Sequence, residues 1–144
     1  MAHLDRSVMA AAWDRPAELT NKDVAKRLSP AAVKAFLKIA GIWELRDEDA
    51  RQILGGISNG AYYQLKKQGS RVLDQDRLTR ISLLTGIFKA LNILYSKRLA
   101  DHWIQLPNTN PMFDGGTPLA YLIRGGVPAM LRVRELLDAR RGGR

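Results

Sequence analysis

The last part of the chain, residues 110–144, constrains the fold most, because residues that start and stop helices follow one another closely there. Thr117 can cap a helix whose first residue is Pro118, since threonine supplies a side-chain acceptor and proline at that position loses no needed N–H. The glycine pair at 125–126 ends this helix, because glycine adopts the left-handed terminating conformation without strain. Pro128 then falls in the first turn of another helix. The spacing predicts two short helices separated by a glycine pair.

The charge balance narrows the choice of partner. The 144 residues include 23 basic and 14 acidic side chains, so the formal net charge is +9. Such a balance favours polyanionic partners, meaning nucleic acid or an acidic protein surface. A hydrophobic fraction of 46% beside 26% charged residues is typical of a globular chain rather than a disordered one.

The sequence also argues against a membrane protein, a secreted protein and a disulfide-stabilised protein. No apolar run is long enough to cross a bilayer. The first residues lack the charged-then-apolar layout of a secretory signal. The chain has no cysteine, which excludes a disulfide framework and a thiolate metal site. We therefore expect a cytoplasmic protein without membrane contact.

Two amphipathic helices are predicted between residues 29 and 56. Ser29 followed by Pro30 indicates a helix start, and Gly41 indicates its end. Apolar side chains between them recur on one helical face, at Val33, Phe36, Leu37 and Ala40. Acidic residues at 47–49 suit the start of the next helix, because they complement the macrodipole. The glycine pair at 55–56 ends that helix.

A third helix over Asn59 to Gln68 is predicted next, with Ser58 as its N-cap and Gly69 as its stop. A helix, a glycine turn and a helix reproduce the layout in which the second helix enters the major groove of DNA. Residues at its start would face base edges and lysines near its end would meet phosphates. The predicted DNA-binding residues are Ser58, Asn59, Tyr62, Tyr63, Lys66 and Lys67. The alternative is a helical hairpin with a polar, solvated face.

One long helix is predicted from Asp74 to Tyr95. Its apolar stripe consists of Leu78, Ile81, Leu84, Phe88 and Leu91, and Leu83, Ile87 and Leu94 widen it. A helix that is apolar over so much of its surface should be buried in the monomer or between subunits, so we expect a central helix and a homodimer. Ser96 can then cap a short helix through Trp103. Residues 1–28 give a weaker pattern and are interpreted as an N-terminal arm.

Catalysis is not expected. His3 and His102 do not have metal-ligand spacing. The chain has neither a phosphate-binding G-x-x-x-x-G-K-[ST] loop nor a G-x-S-x-G nucleophile elbow. The remaining glycine pairs do not follow a predicted strand. We therefore predict a protein that is not an enzyme and that needs no cofactor or metal.

Three short elements of the chain together resemble the C-terminal toxin-binding domain of the Xre/MbcA/ParS antitoxin family. They are N-P-M-F at 110–113, L-I-R-G-G at 122–126 and D-A-R-R-G-G at 138–143. The stretch R-I-S-L-L-T-G-I-F-K-A-L also resembles the joining helix of that family. The resemblance implies an all-α fold, in which an Xre-like helix-turn-helix domain and joining helix (29–95) follow the arm (1–28). A small helical toxin-binding domain (96–144) completes the chain.

The resemblance also implies a partner. Members of this family neutralise RES-domain toxins, which consume NAD, and block the toxin site with their C-terminal region. The toxin-binding residues that it implies here are Asn110, Pro111, Phe113, Arg132, Arg134, Arg140, Arg141, Gly142, Gly143 and Arg144. Helical spacing independently predicts that Val127, Met130, Val133 and Leu137 pack the last helix onto the body. The two glycines at 142–143 would let the terminus enter a narrow cleft.

Three functions remain open from the sequence. The first is an antitoxin that occludes its toxin and binds its own promoter. The second is a helix-turn-helix transcription regulator without a toxin partner. The third is an adaptor whose helix-turn-helix no longer binds DNA. The C-terminal elements favour the first, because a plain repressor has no need of N-P-M-F or R-R-G-G-R.

Overall fold

The computed structural model of the chain describes residues 22–68 and 72–142. Over these residues the regular structure is helical throughout, so the predicted all-α fold class is confirmed. The α-helices are α1 (Lys22–Ile42), α2 (Asp47–Ile53), α3 (Asn59–Gln68), α4 (Gln75–Leu94), α5 (Lys97–His102) and α6 (Pro118–Arg141). Two single 3₁₀ turns, Trp103–Gln105 and Pro111–Phe113, lie between α5 and α6. None of the helices in this part of the chain combines the length and the apolar character that crossing a membrane requires.

Helix α4 is the centre of the fold. It packs most extensively against α6 and next against α1. The side chains of Leu84, Ile87 and Leu91 are completely buried, whereas Phe88 is half-buried and rests on the core. Asp74 caps the helix, because its Oδ1 accepts from the Arg77 amide at 2.9 Å. The predicted central helix is confirmed, and most of its apolar surface is covered within one chain.

Helix α1 begins earlier than predicted. It starts at Lys22, so the start expected at Ser29–Pro30 is wrong, and both residues lie inside the helix. The Ser29 hydroxyl donates to the Ala25 carbonyl at 2.6 Å and accepts from the Leu73 amide at 2.8 Å. A buried serine here ties the helix to the segment before α4 instead of capping a helix start. Residues 1–21, which include most of the predicted arm, lie outside the described residues.

The end of α1 also differs from the prediction. The helix passes through Gly41 to Ile42, so Gly41 does not terminate it. The left-handed conformation falls instead on Glu44, whose φ is 55°. The Leu45 amide then donates to the Ala40 carbonyl at 3.0 Å, which closes the turn. A non-glycine residue therefore supplies the helix stop that the sequence suggested for Gly41.

Helix α6 consists of two helical segments that meet at a bend. Thr117 caps the first, since its hydroxyl accepts from the Ala120 amide at 3.1 Å, and Pro118 is the first helical residue. Gly126 is non-helical, with φ 64° and ψ −145°. Pro128 lies just after the bend, where its missing N–H costs no hydrogen bond of an established helix. The predicted pair of short helices around the glycine pair is confirmed.

Candidate functional site

The first candidate surface is built by α2, a glycine turn and α3. Gly55 and Gly56 have φ values of 95° and 82°, conformations that other residues rarely adopt. Their amides donate to the carbonyls of Gln52 and Arg51, both at 2.9 Å. The Ser58 hydroxyl then accepts from the amide of Ala61 at 3.0 Å, as the predicted N-cap requires. The turn and the cap together fix where α3 starts and how it is aimed.

Helix α3 has one buried side and one exposed polar side. Leu65 and Tyr62 lie in the core, at 3% and 4% exposure. Lys66 is exposed, and the other exposed residues, which share one face, are Asn59, Gly60, Tyr63, Gln64 and Lys67. Positions i, i+1, i+4, i+5 and i+8 share one face of a helix. Asn, Gln, Tyr and Lys side chains on one face supply the donors and acceptors that contact bases and phosphates.

Tyr62 requires a correction to the predicted set. Its ring is part of the core, and burial raises the pKa of its hydroxyl, with the nearby charge of Asp47 adding to the effect. A ring held in this way leaves little surface for a base contact. Its apolar size and its i, i+3 spacing to Leu65 explain the burial. Tyr62 therefore anchors α3 in the core and lies away from the exposed side that is predicted to contact DNA.

The two lysines of α3 differ in their surroundings. Lys66 Nζ lies 2.7 Å from Asp47 Oδ2 at the start of α2. Lys67 Nζ lies 3.5 Å from the hydroxyl of Tyr63 and 5.5 Å from the centre of its ring. Both groups of the Lys66–Asp47 pair are solvent-exposed, so their attraction is weak and a phosphate could replace the carboxylate. Lys67 is the cation that faces outward with the exposed side of α3.

The second candidate surface begins with the N-P-M-F element. Asn110 Oδ1 accepts from the Met112 amide at 2.9 Å and so caps the 3₁₀ turn. The Phe113 ring is 2% exposed, and its centre lies 5.9 Å from that of Trp103 and 5.4 Å from that of Tyr121. Both contacts are edge-to-face, the favourable geometry for aromatic pairs. Phe113 therefore belongs to the core beneath α6, which corrects its prediction as a toxin contact, while Pro111 stays exposed.

The second segment of α6 is held by a buried stripe. Met130, Val133 and Leu137 are completely buried and Val127 packs against the core, which confirms the predicted packing. Arg132 is exposed on the outer side, beside Leu131 at 41% exposure. The outer face of this segment therefore presents an apolar side chain, a basic one and, one turn later, the acidic side chain of Glu135.

Most of the predicted arginines at the end of α6 are already engaged with other side chains. Arg134 Nε lies 3.2 Å from Asp138 Oδ2, and Arg141 Nη1 lies 3.8 Å from Asp138 Oδ1. Arg140 Nη1 donates to the Tyr95 hydroxyl at 2.7 Å. These contacts are exposed or partly exposed, so a partner can exchange them at small cost. Gly142 follows as the C-cap of the helix, and residues 143–144 lie outside the described residues.

Residues 22–68 and 72–142 contain no cluster of three or more His, Asp or Glu side chains that could hold a metal ion.

The sequence pattern indicates no function for Arg80, which lies between the glycine turn of the helix-turn-helix and the bend of α6. Nothing in the sequence around Arg80 indicates this position, because its neighbours come from distant segments.

The geometry defines a helix-turn-helix protein whose C-terminal helical region shares one core with it around α4. Residues 23–86 match the antitoxin Xre-like helix-turn-helix domain, and residues 90–143 match the antitoxin Xre/MbcA/ParS C-terminal toxin-binding domain. An uncharacterised protein, y4oB, from Sinorhizobium fredii (strain NBRC 101917 / NGR234) is 39% identical over 115 residues, which are 79% of this chain and 87% of that protein. The chain belongs to the Xre/MbcA/ParS antitoxin family. Its C-terminal domain is a toxin-binding domain, and its partner is therefore a toxin.

Proposed function

We propose that the chain is the antitoxin of a RES-domain toxin, that it covers the NAD-consuming site of that toxin with the end of α6, and that it binds its own promoter through α3. The observation that carries the toxin part is the construction of α6. Its inner side is anchored by Met130, Val133 and Leu137, so its outer side and its end are presented as a rigid unit. A preorganised surface loses less entropy on binding than a mobile one does.

The end of α6 is basic and can pair with acidic groups at the rim of the toxin's site. Arg132, Arg140 and Arg141 are exposed there, and Gly142 is the C-cap of the helix. Charge-assisted hydrogen bonds from these arginines to carboxylates would hold the end of α6 over the NAD-consuming site. The identity of the toxin as a RES-domain enzyme rests on the resemblance of the C-terminal elements to the family.

The proposed DNA contact uses the exposed side of α3. Asn59 and Tyr63 would meet base edges, while Lys67, and Lys66 once released from Asp47, would meet phosphates. Ser58 would contribute through the end of the helix that it caps. The proposed homodimer would bring two such helices to a palindromic site. Ile93, at 62% exposure on α4, is an apolar side chain that a second copy would cover.

Co-purification tests the partner most simply. The chain and the product of the adjacent gene are co-expressed with an affinity tag on this chain alone. We expect a stable complex that survives size-exclusion chromatography in high salt, because the C-terminal domain is built to bind a toxin. Absence of a complex, together with specific binding to promoter DNA, would favour the regulator without a toxin partner.

The domain limits are part of this proposal. The arm at 1–28, the helix-turn-helix domain with its joining helix at 29–95, and the toxin-binding domain at 96–144 remain predictions. Residues 22–28 form the first turns of α1, so the structure shows no break between the predicted arm and the helix-turn-helix domain at residue 28. Helix α4 contacts both α1 and α6 and so connects the helix-turn-helix domain to the C-terminal region. Limited proteolysis with mass spectrometry of the fragments would locate the boundaries.

A further inference from the structure

One arginine connects the two halves of the molecule. Arg80 lies on α4, and its side chain is only 17% exposed. Its Nε lies 2.8 Å from Asp76 Oδ2, one helical turn earlier, which fixes the direction of the guanidinium. Its Nη1 donates to the carbonyl of Ile53, the last residue of α2, at 3.2 Å. The guanidinium thus holds the end of the first helix of the helix-turn-helix.

The same guanidinium lies against two glycines from the two domains. A methyl group placed at Gly55 would lie 3.3 Å from Arg80 Nε and Cζ. A methyl group placed at Gly126 would lie 3.4 Å from Arg80 Nη2. Both glycines have positive φ, so both positions combine unusual backbone with close approach of the same side chain. The planar guanidinium is suited to this place, because it presents donors in several directions from one rigid group.

The surroundings of Arg80 leave room for these segments to move. The turn at 55–56 and the bend at 125–126 border an open groove of about 510 Å³, whose other lining includes Arg51 and Arg124. Local stability is low where few packed side chains connect two backbone segments. Helices α2 and α6 also pack against each other, and the guanidinium of Arg80 lies beside both the turn and the bend that border this groove.

We infer that Arg80 is a positioning residue that couples the bend of α6 to the turn that aims α3, so that toxin binding and DNA binding influence each other. A toxin that contacts α6 would change the bend at Gly126, and Arg80 would pass this change to the turn. By linkage the effect is reciprocal, and couplings between sites are typically about 5- to 150-fold in affinity. The consequence for DNA rests on the proposed function, whereas the mechanical link does not.

The test therefore uses the full chain without toxin or DNA. Gly126→Ala disturbs the bend directly, because alanine is strained at this φ and its methyl group approaches Arg80. The readout is the ¹⁵N–¹H shift and hydrogen exchange of the turn amides of Gly55, Gly56 and Ile57. We expect Gly126→Ala to change the chemical shifts and exchange rates of these amides. When Arg80→Lys is already present, adding Gly126→Ala should leave them unchanged. Lysine keeps the charge but lacks the planar fork.

The control is Lys97→Ala, which removes another i,i+4 ion pair outside the groove. Lys97 Nζ lies 3.2 Å from Asp101 Oδ2, and the response of the turn to Gly126→Ala should persist in its absence. A turn that does not respond to Gly126→Ala in the wild-type background would overturn the inference. So would a response of equal size in the Arg80→Lys background.

A second measurement covers the case in which Gly126→Ala does not fold. Arg80→Lys alone should accelerate exchange roughly tenfold at the turn amides and also at the amides of residues 125–127, because a charge-assisted hydrogen bond is weakened. Lys97→Ala should accelerate neither set. Acceleration confined to one segment would show that Arg80 supports that segment only, and would refute the coupling. Failure of co-purification with the toxin would instead count against the proposed function.

Discussion

Replacing Phe113 with alanine separates a packing function of the N-P-M-F element from a toxin contact. The ring is 2% exposed and makes edge-to-face contacts with Trp103 and Tyr121. Removing a buried phenylalanine side chain costs about 3–5 kcal/mol, since apolar burial is lost and a cavity remains. Each aromatic pair contributes about 0.5–1.5 kcal/mol of this. We expect Phe113→Ala to lower the free energy of unfolding by about 4 kcal/mol.

Urea unfolding followed by far-ultraviolet circular dichroism measures this loss. The midpoint should fall while the m-value stays constant, because the surface exposed on unfolding changes little. Phe113→Leu is the first control, since it keeps apolar volume but loses both ring contacts, and it should cost about 1–2 kcal/mol. Pro111→Ala, at an exposed position in the same element, should change stability by less than about 0.5 kcal/mol.

The contrary result is equally well defined. It is a decrease in the free energy of unfolding of less than about 1 kcal/mol in Phe113→Ala, together with weaker capture of the toxin. A decrease of this size is typical of substitutions that create no core cavity. Phe113 would then be a toxin contact, as the family resemblance suggested, and the packing derived from the structure would be refuted.

Three further changes test other parts of the molecule. Phe88→Ala should cost about 2 kcal/mol in the same unfolding experiment, less than a fully buried ring would, and an unchanged midpoint would show that Phe88 contributes nothing to the core. Lys67→Ala should weaken binding to all DNA sequences and flatten its salt dependence in mobility-shift titrations, because fewer counterions are released. Asn59→Ala should instead reduce the preference for promoter over random DNA, and equal loss on both would remove Asn59 from base recognition.

The part of the fold from α3 onward could be predicted from the sequence because helices α3 to α6 carry local caps. Ser58, Asp74, Ser96 and Thr117 each accept a hydrogen bond from an amide at the start of the following helix. Capping depends on residues close in sequence, so its pattern survives without knowledge of the tertiary structure. The bend at Gly126 was predictable for the same reason.

Helix α1 could not be predicted so well, because its boundaries depend on distant residues. Ser29 looks like a cap in the sequence, but its hydroxyl accepts from the amide of Leu73, 44 residues away. The same hydroxyl also donates a hydrogen bond to the Ala25 carbonyl, four residues earlier, which is a contact that serine makes inside a helix and not at its start. The left-handed Glu44 carries no sequence signature either, since the motif for a helix stop favours glycine.

In the candidate sites, too, features that depend on neighbouring residues could be predicted and features that depend on distant residues could not. The exposed polar side of α3 and the buried stripe of α6 follow from helical periodicity, which the sequence displays. The burial of Tyr62 and Phe113 does not follow from motif membership, because a motif residue can serve packing as readily as binding. The position of Arg80 between Gly55 and Gly126 depends on three segments distant in sequence and required the structure.

The most direct test of the central claim is NAD consumption by the proposed RES-domain partner, sought in the product of the adjacent gene. Full-length antitoxin should abolish turnover at a stoichiometric ratio. A variant that lacks residues 140–144 should keep the fold, because Leu137 is the last completely buried position in the described part of the chain, and it should leave the toxin active. Unfolding midpoints and size-exclusion profiles verify that the variant is folded. Inhibition by the truncated chain as strong as by the full chain would contradict occlusion by the C-terminal segment, and no inhibition by either would contradict the toxin assignment.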